Sequence, residues 1–422
     1  MQLELAMMRE KLPHITMTVL FALFIVLLPR YTDTAKLWYL ILMLAGFFYL
    51  LLNLQEIRHT STVERVFLGA VLLNFLWIAF CYYINDAPER GESLLWGRHF
   101  YFVFLIPLFF LFRKIDMSDR YILLCLAGSV AISLLDILVD LAQGIDHRVQ
   151  GMNPNSFGPI QQCMFWTLLF YFLREKERWL RMCAALGFTL AIVAILSSGS
   201  KNTWLSYLLV SVFFVFYLIP VSAARKALIA MALIMLSSSF YFVPYVKKRI
   251  DNGFASIDRY FSVENHASRA SLGTFGTRME LWKEAYNVFL DRPLTGAGLG
   301  GVKPMVKANQ DRYQTSEFVL RNKYVHNQYL SALATRGLPG LILFLIILML
   351  PVYIAMSKKS FVRDNRVARL SIISICLVYA FGNIFASHFE AKSAIMFTSI
   401  MLPLWLAKLS TARILQDNLA ET

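Results

Sequence analysis

Two short runs in the second half of the chain carry residue types with chemistry to offer. His326 sits in Tyr324-Val325-His326-Asn327-Gln328-Tyr329-Leu330, ahead of Gly337-Leu338-Pro339-Gly340 and a long apolar stretch. A neutral imidazole accepts a proton near pH 7, as a general base must; a structural histidine is the competing reading, and both stay open here. Arg278 lies in Gly276-Thr277-Arg278-Met279-Glu280. Leu281, Trp282, Ala285, Val288 and Phe289 follow at helical spacing until Asp291-Arg292-Pro293, where proline cannot continue a helix. Thr277 and Glu280 have the spacing of a capping box, so the sequence predicts a helix with Thr277 as its N-cap. Arg278 would then occupy the first turn, where free amides favour an anion. Its guanidinium would add a two-pronged grip on phosphate oxygens. Pairing with Glu280, or snorkelling, is the alternative use of that arginine.

Further candidates are spread along the chain. Lys201 follows Ser197-Ser198-Gly199-Ser200 in a tight turn between apolar stretches, and reads either as a functional cation or as a lysine reaching for headgroups. Arg148 opens Arg148-Val149-Gln150-Gly151-Met152-Asn153-Pro154-Asn155, whose Gly, Pro and Asn residues mark turns. His388 and Glu390 bracket a short turn near the end of the chain and form a second acid–base candidate. Asp136 and Asp140, four apart on one helix face, read first as ion-pair partners. Gly296-Ala297-Gly298-Leu299-Gly300-Gly301 fits the dinucleotide pattern G-x-G-x-x-G, but no strand precedes it. A turn that lets backbone approach a ligand is expected instead. No H-E-x-x-H, P-loop or carboxylate-rich cluster occurs, so neither a metal nor any other cofactor is expected. Cys81, Cys125, Cys163, Cys183 and Cys376 lie in or beside apolar runs and read as small apolar side chains.

The elements that must position these residues follow from composition. Of 422 residues, 58% are apolar and 16% charged, against roughly 25% charged in soluble domains. That charge cannot cover two or three soluble domains, and the chain reads as an all-α polytopic membrane protein. About 12 segments reach the ~20 apolar residues that cross a hydrocarbon core: roughly 13–29, 37–54, 66–84, 96–112, 121–143, 157–173, 180–198, 202–220, 227–243, 338–356, 369–387 and 391–407. Arg9 and Lys11 precede the first, but no small-residue cleavage site follows it, so an uncleaved span is expected. With the N-terminus inside, 20 Lys and Arg fall on the cytoplasmic side and 7 in short outer loops, the asymmetry that sets orientation. Both termini are then cytoplasmic. The other 14 lie in 244–336 with eight acids, for a net charge of +6. Long loops cross whatever their charge, so this one is placed outside. A basic surface beside a bilayer suits phosphate or diphosphate; ordinary charge variation in a solvated loop is the plain alternative. The division is nine spans in 1–243, a partly helical outer loop in 244–336, and three spans with a cytoplasmic tail in 337–422.

Taken together, these elements resemble the bacterial O-antigen ligase family, which shares a domain with O-antigen polymerases and some protein O-oligosaccharyltransferases. The resemblance rests on the twelve-span plan with its late, long outer loop, and on Gly276-Thr277-Arg278, Trp282, Pro293 and Gly296-x-Gly298. It rests equally on His326-Asn327-x-Tyr329-Leu330 with Gly337-x-x-Gly340, and on Arg148-x-x-Gly151 with Asn153-Pro154-Asn155. Members usually carry Ser-Arg where this sequence has Ser200-Lys201, which keeps the charge and loses the fork. The resemblance implies a GT-C-like glycosyltransferase of the bacterial inner membrane whose active site faces the periplasm. It implies transfer of O-antigen glycan from undecaprenyl diphosphate to a sugar hydroxyl of the lipid A-core, inverting and independent of metal. His326 would deprotonate or orient that hydroxyl, and Arg278, Lys201 and Arg148 would hold the diphosphate. Asn327, Tyr329, His388 and Glu390 are secondary candidates. The implied partners are the lipid-linked donor, the lipid A-core acceptor and membrane lipids, with no nucleic acid. The nearest rival, an O-antigen polymerase, would take a second lipid-linked glycan as acceptor, and the second large outer loop usual there has no counterpart here. A transporter or flippase for lipid-linked sugars would call for repeated halves and mid-membrane polar pairs, which the sequence does not display.

Overall fold

The computed structural model describes residues 2–29, 31–85, 98–143, 152–262, 273–315, 320, 325–357 and 365–421. No strand occurs among them. Apolar runs dictate this, because backbone groups in hydrocarbon must be paired within their own element, and a helix does so alone. The first half of the bundle is α1 (Gln2–Leu27), α2 (Thr32–Leu52), α3 (Thr62–Ile84), α4 (Phe100–Val103), α5 (Leu105–Lys114) and α6 (Asp119–Ala142). Then come α7 (Pro154–Arg174), α8 (Arg178–Ser197), α9 (Lys201–Leu218) and α10 (Ala223–Ser239). The long loop holds α11 (Pro244–Ser262), α12 (Thr274–Asp291), α13 (Val302–Ala308) and α14 (Gln310–Tyr313). The chain closes with α15 (Gln328–Met356), α16 (Arg366–Gly382) and α17 (Lys392–Glu421).

Among the described residues, eight helices are long and apolar enough to cross a membrane: α2, α3, α6, α8, α9, α10 with its 3₁₀ extension to Phe242, α15 and α17. The chain is a multi-pass membrane protein. Helices also cover the other four expected spans but fall short of that standard for separate reasons. The apolar part of α1 is Leu12–Leu27, α4 and α5 are divided at Phe104, and α16 has 17 residues. In α7 the cause is interior position: its Ser156, Gln161, Gln162 and Thr167 are buried against protein. Gln161 donates to Ser133 Oγ at 3.0 Å, Gln162 accepts from Ser206 at 3.0 Å, and Thr167 meets Ser371 at 3.1 Å. A hydropathy ruler made for lipid-facing helices reads such a helix as too polar.

The bundle has a middle and a rim. The apolar window of α17 is 89% buried and that of α10 only 6%, while most residues of α7 and α16 are buried. A Cβ at Gly158 of α7 would sit 2.2 Å from Thr203 Oγ1 of α9, so glycine is what lets these two helices meet. Small residues take this role where lipid removes the hydrophobic drive between helices. In the long loop, Ala285, Val288, Val306 and Tyr313 form a small core of their own. Arg312 locks it by donating twice to Asp291, at 3.0 and 2.8 Å. α12 packs on both α11 and α15, which moors the loop to the bundle.

Candidate active site

The helix carrying Arg278 starts earlier than the sequence predicts. α12 begins at Thr274 with Gly273 as its N-cap, and no capping box forms at Thr277 and Glu280. The cap comes from another helix: Ser256 Oγ of α11 accepts from the Phe275 amide at 3.2 Å. Thr277 instead bonds back to the Gly273 carbonyl at 3.0 Å, and Glu280 accepts from the Tyr260 hydroxyl of α11 at 3.1 Å. Arg278 is therefore in the second turn, on the same helix face as Thr274. Arg278 is partly buried. Burial presses its pKa down from the ordinary arginine value.

His326 stands just ahead of α15, with its backbone in the left-handed region at φ 56°. That conformation is uncommon for a residue with a Cβ and is kept only where the surroundings enforce it. Here Asn327 enforces it, capping α15 by accepting from the Tyr329 and Leu330 amides at 2.9 and 3.0 Å. Tyr329 ties the same turn to α16 by donating to the Ala380 carbonyl at 2.7 Å. The two secondary candidates thus hold the backbone that carries His326. Burial first, and then the charge of Arg278, push the His326 pKa down to about 4.

The glycine-rich segment joins these two residues. The Ala297 amide donates to Ala334 O at 2.8 Å, Gly298 to Thr335 O at 3.1 Å, and Leu338 to Pro293 O at 2.8 Å. Gly296 and Gly337 both have positive φ, and a Cβ on either would fall within 2.5 Å of the facing backbone. The backbone that Gly296 approaches is thus that of α15, at the kink on Gly337 (φ 65°, ψ −169°). The segment after α12 clasps α15, so the two halves of the loop motif set Arg278 relative to His326.

Lys201 joins from the bundle. Ser200 caps α9 and donates to Asn155 Oδ1 at 2.9 Å, which ties the Lys201 turn to the Asn153-Pro154-Asn155 start of α7. The charges of Arg249 and Arg278 both bear on the Lys201 ammonium. Arg249, on α11, donates to the Gly199 carbonyl from Nε at 3.2 Å and from Nη2 at 2.7 Å. Sequence reasoning missed this residue, counting it only within the loop charge; its signal was the run Lys247-Lys248-Arg249. Lys201, Arg249 and Arg278 together form a concentrated positive field suited to a polyanion, and Arg278 links it to His326. Arg148 lies outside the described residues.

His388 and Glu390 sit deeper. The His388 ring is buried, lies 3.5 Å from Asn202 Nδ2, and has the Gly382 and Asn155 carbonyls as partners. Burial outweighs those carbonyls and holds its pKa at about 4. The Glu390 carboxylate accepts from Ser331. Burial raises its pKa, partly offset by the charges of Arg336 and Arg98. Arg336, counted above with the outer loop, is 3% exposed, donates to Asn74 Oδ1 at 3.3 Å and has its carbonyl capped by Trp77 Nε1 at 2.9 Å. Among the described residues, no three His, Cys, Asp or Glu side chains are grouped as a bound metal requires.

Comparison with known proteins finds a family similarity over the part of the chain that holds these residues. The O-antigen ligase family model matches residues 186–345, the stretch that contains Lys201, Arg249, Arg278 and His326 and leaves out Arg148, His388 and Glu390. A protein of Haemophilus influenzae described as uncharacterized is 22% identical over 391 residues, covering 88% of this chain and 91% of its own.

Proposed function

We propose, from the premise that the family match supports an O-antigen ligase assignment and with it a membrane glycosyltransferase of the ligase and polymerase type, that this chain is the ligase. It takes O-antigen glycan from undecaprenyl diphosphate and joins it to a hydroxyl of the lipid A-core at the periplasmic face of the inner membrane. The observation that carries this reading is the convergence on one Arg278 of His326, just ahead of α15, and Lys201 from α9.

That arrangement supports the following reaction. The acceptor oxygen attacks the anomeric carbon from the face opposite the diphosphate, and the bond from that carbon to the phosphate oxygen breaks with inversion. The departing oxygen keeps the electron pair, and Arg278, Lys201 and Arg249 stabilise the charge as it develops. Arg148 would add to that grip. The acceptor proton passes to the imidazole of His326, which low basicity keeps neutral at neutral pH. A bound diphosphate would cancel the Arg278 charge that depresses His326, so the base strengthens as the donor seats. No nucleotide is needed, because the lipid diphosphate is already activated.

The test is replacement of Arg278 or His326 by alanine in a strain lacking its own ligase. Loss of the long-glycan ladder from lipopolysaccharide, with undecaprenyl-linked polymer persisting, supports the ligase. If single repeat units still reach the core but are never lengthened, the activity is that of a polymerase and the proposal fails. An unchanged ladder overturns the site.

A further inference from the structure

At the end of the bundle away from His326, α7, α9, α10 and α16 enclose a cavity of about 1010 Å³. Its wall is aromatic: Phe165, Trp166 and Phe170 of α7 face Tyr207 and Phe214 of α9. The rings lock together, Trp166 on Phe214 at 4.7 Å and Phe165 on Tyr207 at 5.2 Å. α10 supplies Leu233 to the far side. Ala230 is the buried residue of that helix, so this wall is otherwise bathed by the surroundings. The volume is at the top of the ~300–1,000 Å³ range of small-molecule sites.

Four cations, Arg174, Lys176, Arg366 and Arg369, line one end of this cavity. Arg174 ends α7 and Arg366 begins α16, whereas the other ends of those helices hold Asn155 and Gly382 beside Lys201 and Asn202. A 21-residue helix such as α7 is about 30 Å long, so the cationic rim lies one hydrocarbon thickness from Lys201. Described acids near this end have partners of their own. Glu175 accepts from the Lys176 and Glu177 amides at 2.8 and 3.0 Å, and Glu177 from Trp179 Nε1 at 3.0 Å. Asp116 and Asp119 pair with Lys408 at 3.1 and 2.9 Å. Arg366 and Arg369 are close enough for one charge to act on the other.

We propose that this cavity binds one anionic glycerophospholipid, its phosphate on the cationic rim and its acyl chains along the aromatic wall. Apolar chains gain little by leaving a bilayer for a protein groove, so selection falls to the headgroup, and basic pockets between membrane helices choose acidic lipids. A zwitterionic headgroup would bring its ammonium among four cations. The donor's polyprenyl tail fits poorly, because its diphosphate would then lie at the wrong end of α7. The leaflet, opposite that of His326, rests on the orientation proposed above; the cavity itself does not.

The test uses the purified full chain in phosphatidylcholine nanodiscs, with brominated phosphatidylglycerol or brominated phosphatidylcholine as quencher. The Trp166 signal is the difference between the wild type and Trp166→Phe. Phosphatidylglycerol should quench it at roughly tenfold lower mole fraction than phosphatidylcholine. Lys176→Gln with Arg366→Gln, both exposed, should abolish the preference, and Ser211→Phe, which fills the cavity, should abolish quenching by either lipid. Equal quenching by the two lipids, a preference that survives the double substitution, or stronger competition by a polyprenyl phosphate each overturns the proposal. Nanodiscs expose both leaflets and no glycan transfer is read, so failure here leaves the ligase reading standing, and the reverse holds too.

Discussion

Both ends of α7, α9 and α16 carry a cluster of cations, yet the two clusters are built differently. At one end Lys201, Arg249 and Arg278 are joined by fixed backbone: a capped turn, a doubly accepted carbonyl at Gly199, and the clasp of Gly296–Gly298 on α15. A histidine with a left-handed backbone feels the charge of Arg278. At the other end Arg174, Lys176, Arg366 and Arg369 line an aromatic cavity, and no histidine lines it among the described residues. Positive charge is common to both; preorganised backbone and a proton acceptor belong to one. In our two proposals charge grips an anion at either end, and bond breaking is assigned to the scaffolded end alone.

The comparison can be broken most forcefully at the scaffolded end. His326→Ala should cost about 10²–10⁴-fold in transfer, and Arg278→Ala about 10²–10³-fold, read from the lipopolysaccharide ladder and from purified protein. Gly337→Ala comes next: its Cβ would lie 2.2 Å from Leu294 O at a positive φ. It should lower stability by more than about 1 kcal/mol, seen as a lower thermal midpoint, and reduce activity although it touches no reacting group. Lys201→Arg should keep most activity while Lys201→Ala loses roughly tenfold, the cost of one charge-assisted contact.

The smallest effect is in pH dependence. The His388 pKa is held at about 4, against an ordinary ~6.5 in the unfolded chain. Between those values the unfolded state binds the extra proton, so the stability contributed is complete above about pH 6.5 and drains away toward pH 4. His388→Asn should make the acid-side fall of the thermal midpoint shallower. His326 contributes a slope of the same sign, so the substitution should reduce the fall without removing it.

Residues whose role is local were legible in the sequence. Apolar length marked the helices, and Arg278, Lys201 and His326 stood out by type and context. What escaped depends on partners far along the chain. The start of α12 is set by Ser256, nineteen residues earlier, and this overrides a capping pattern that local spacing favours. Arg249 is indistinguishable in sequence from Lys247 and Lys248, and only the fold turns it onto Gly199. Arg336 reads as loop charge until Asn74 and Trp77, some 260 positions away, are found around it. The glycine run fits a nucleotide pattern, yet its partner is the backbone of a helix more than thirty residues on.

The central claim is that His326 removes the acceptor proton beside a diphosphate held by Arg278. It is tested most directly with purified full-length protein, undecaprenyl-diphosphate-linked glycan and lipid A-core, measuring donor binding and transfer separately in the presence of a metal chelator. The account predicts transfer by the wild type, retained donor binding without transfer for His326→Ala, and loss of both for Arg278→Ala. Transfer by His326→Ala at the wild-type rate would contradict it.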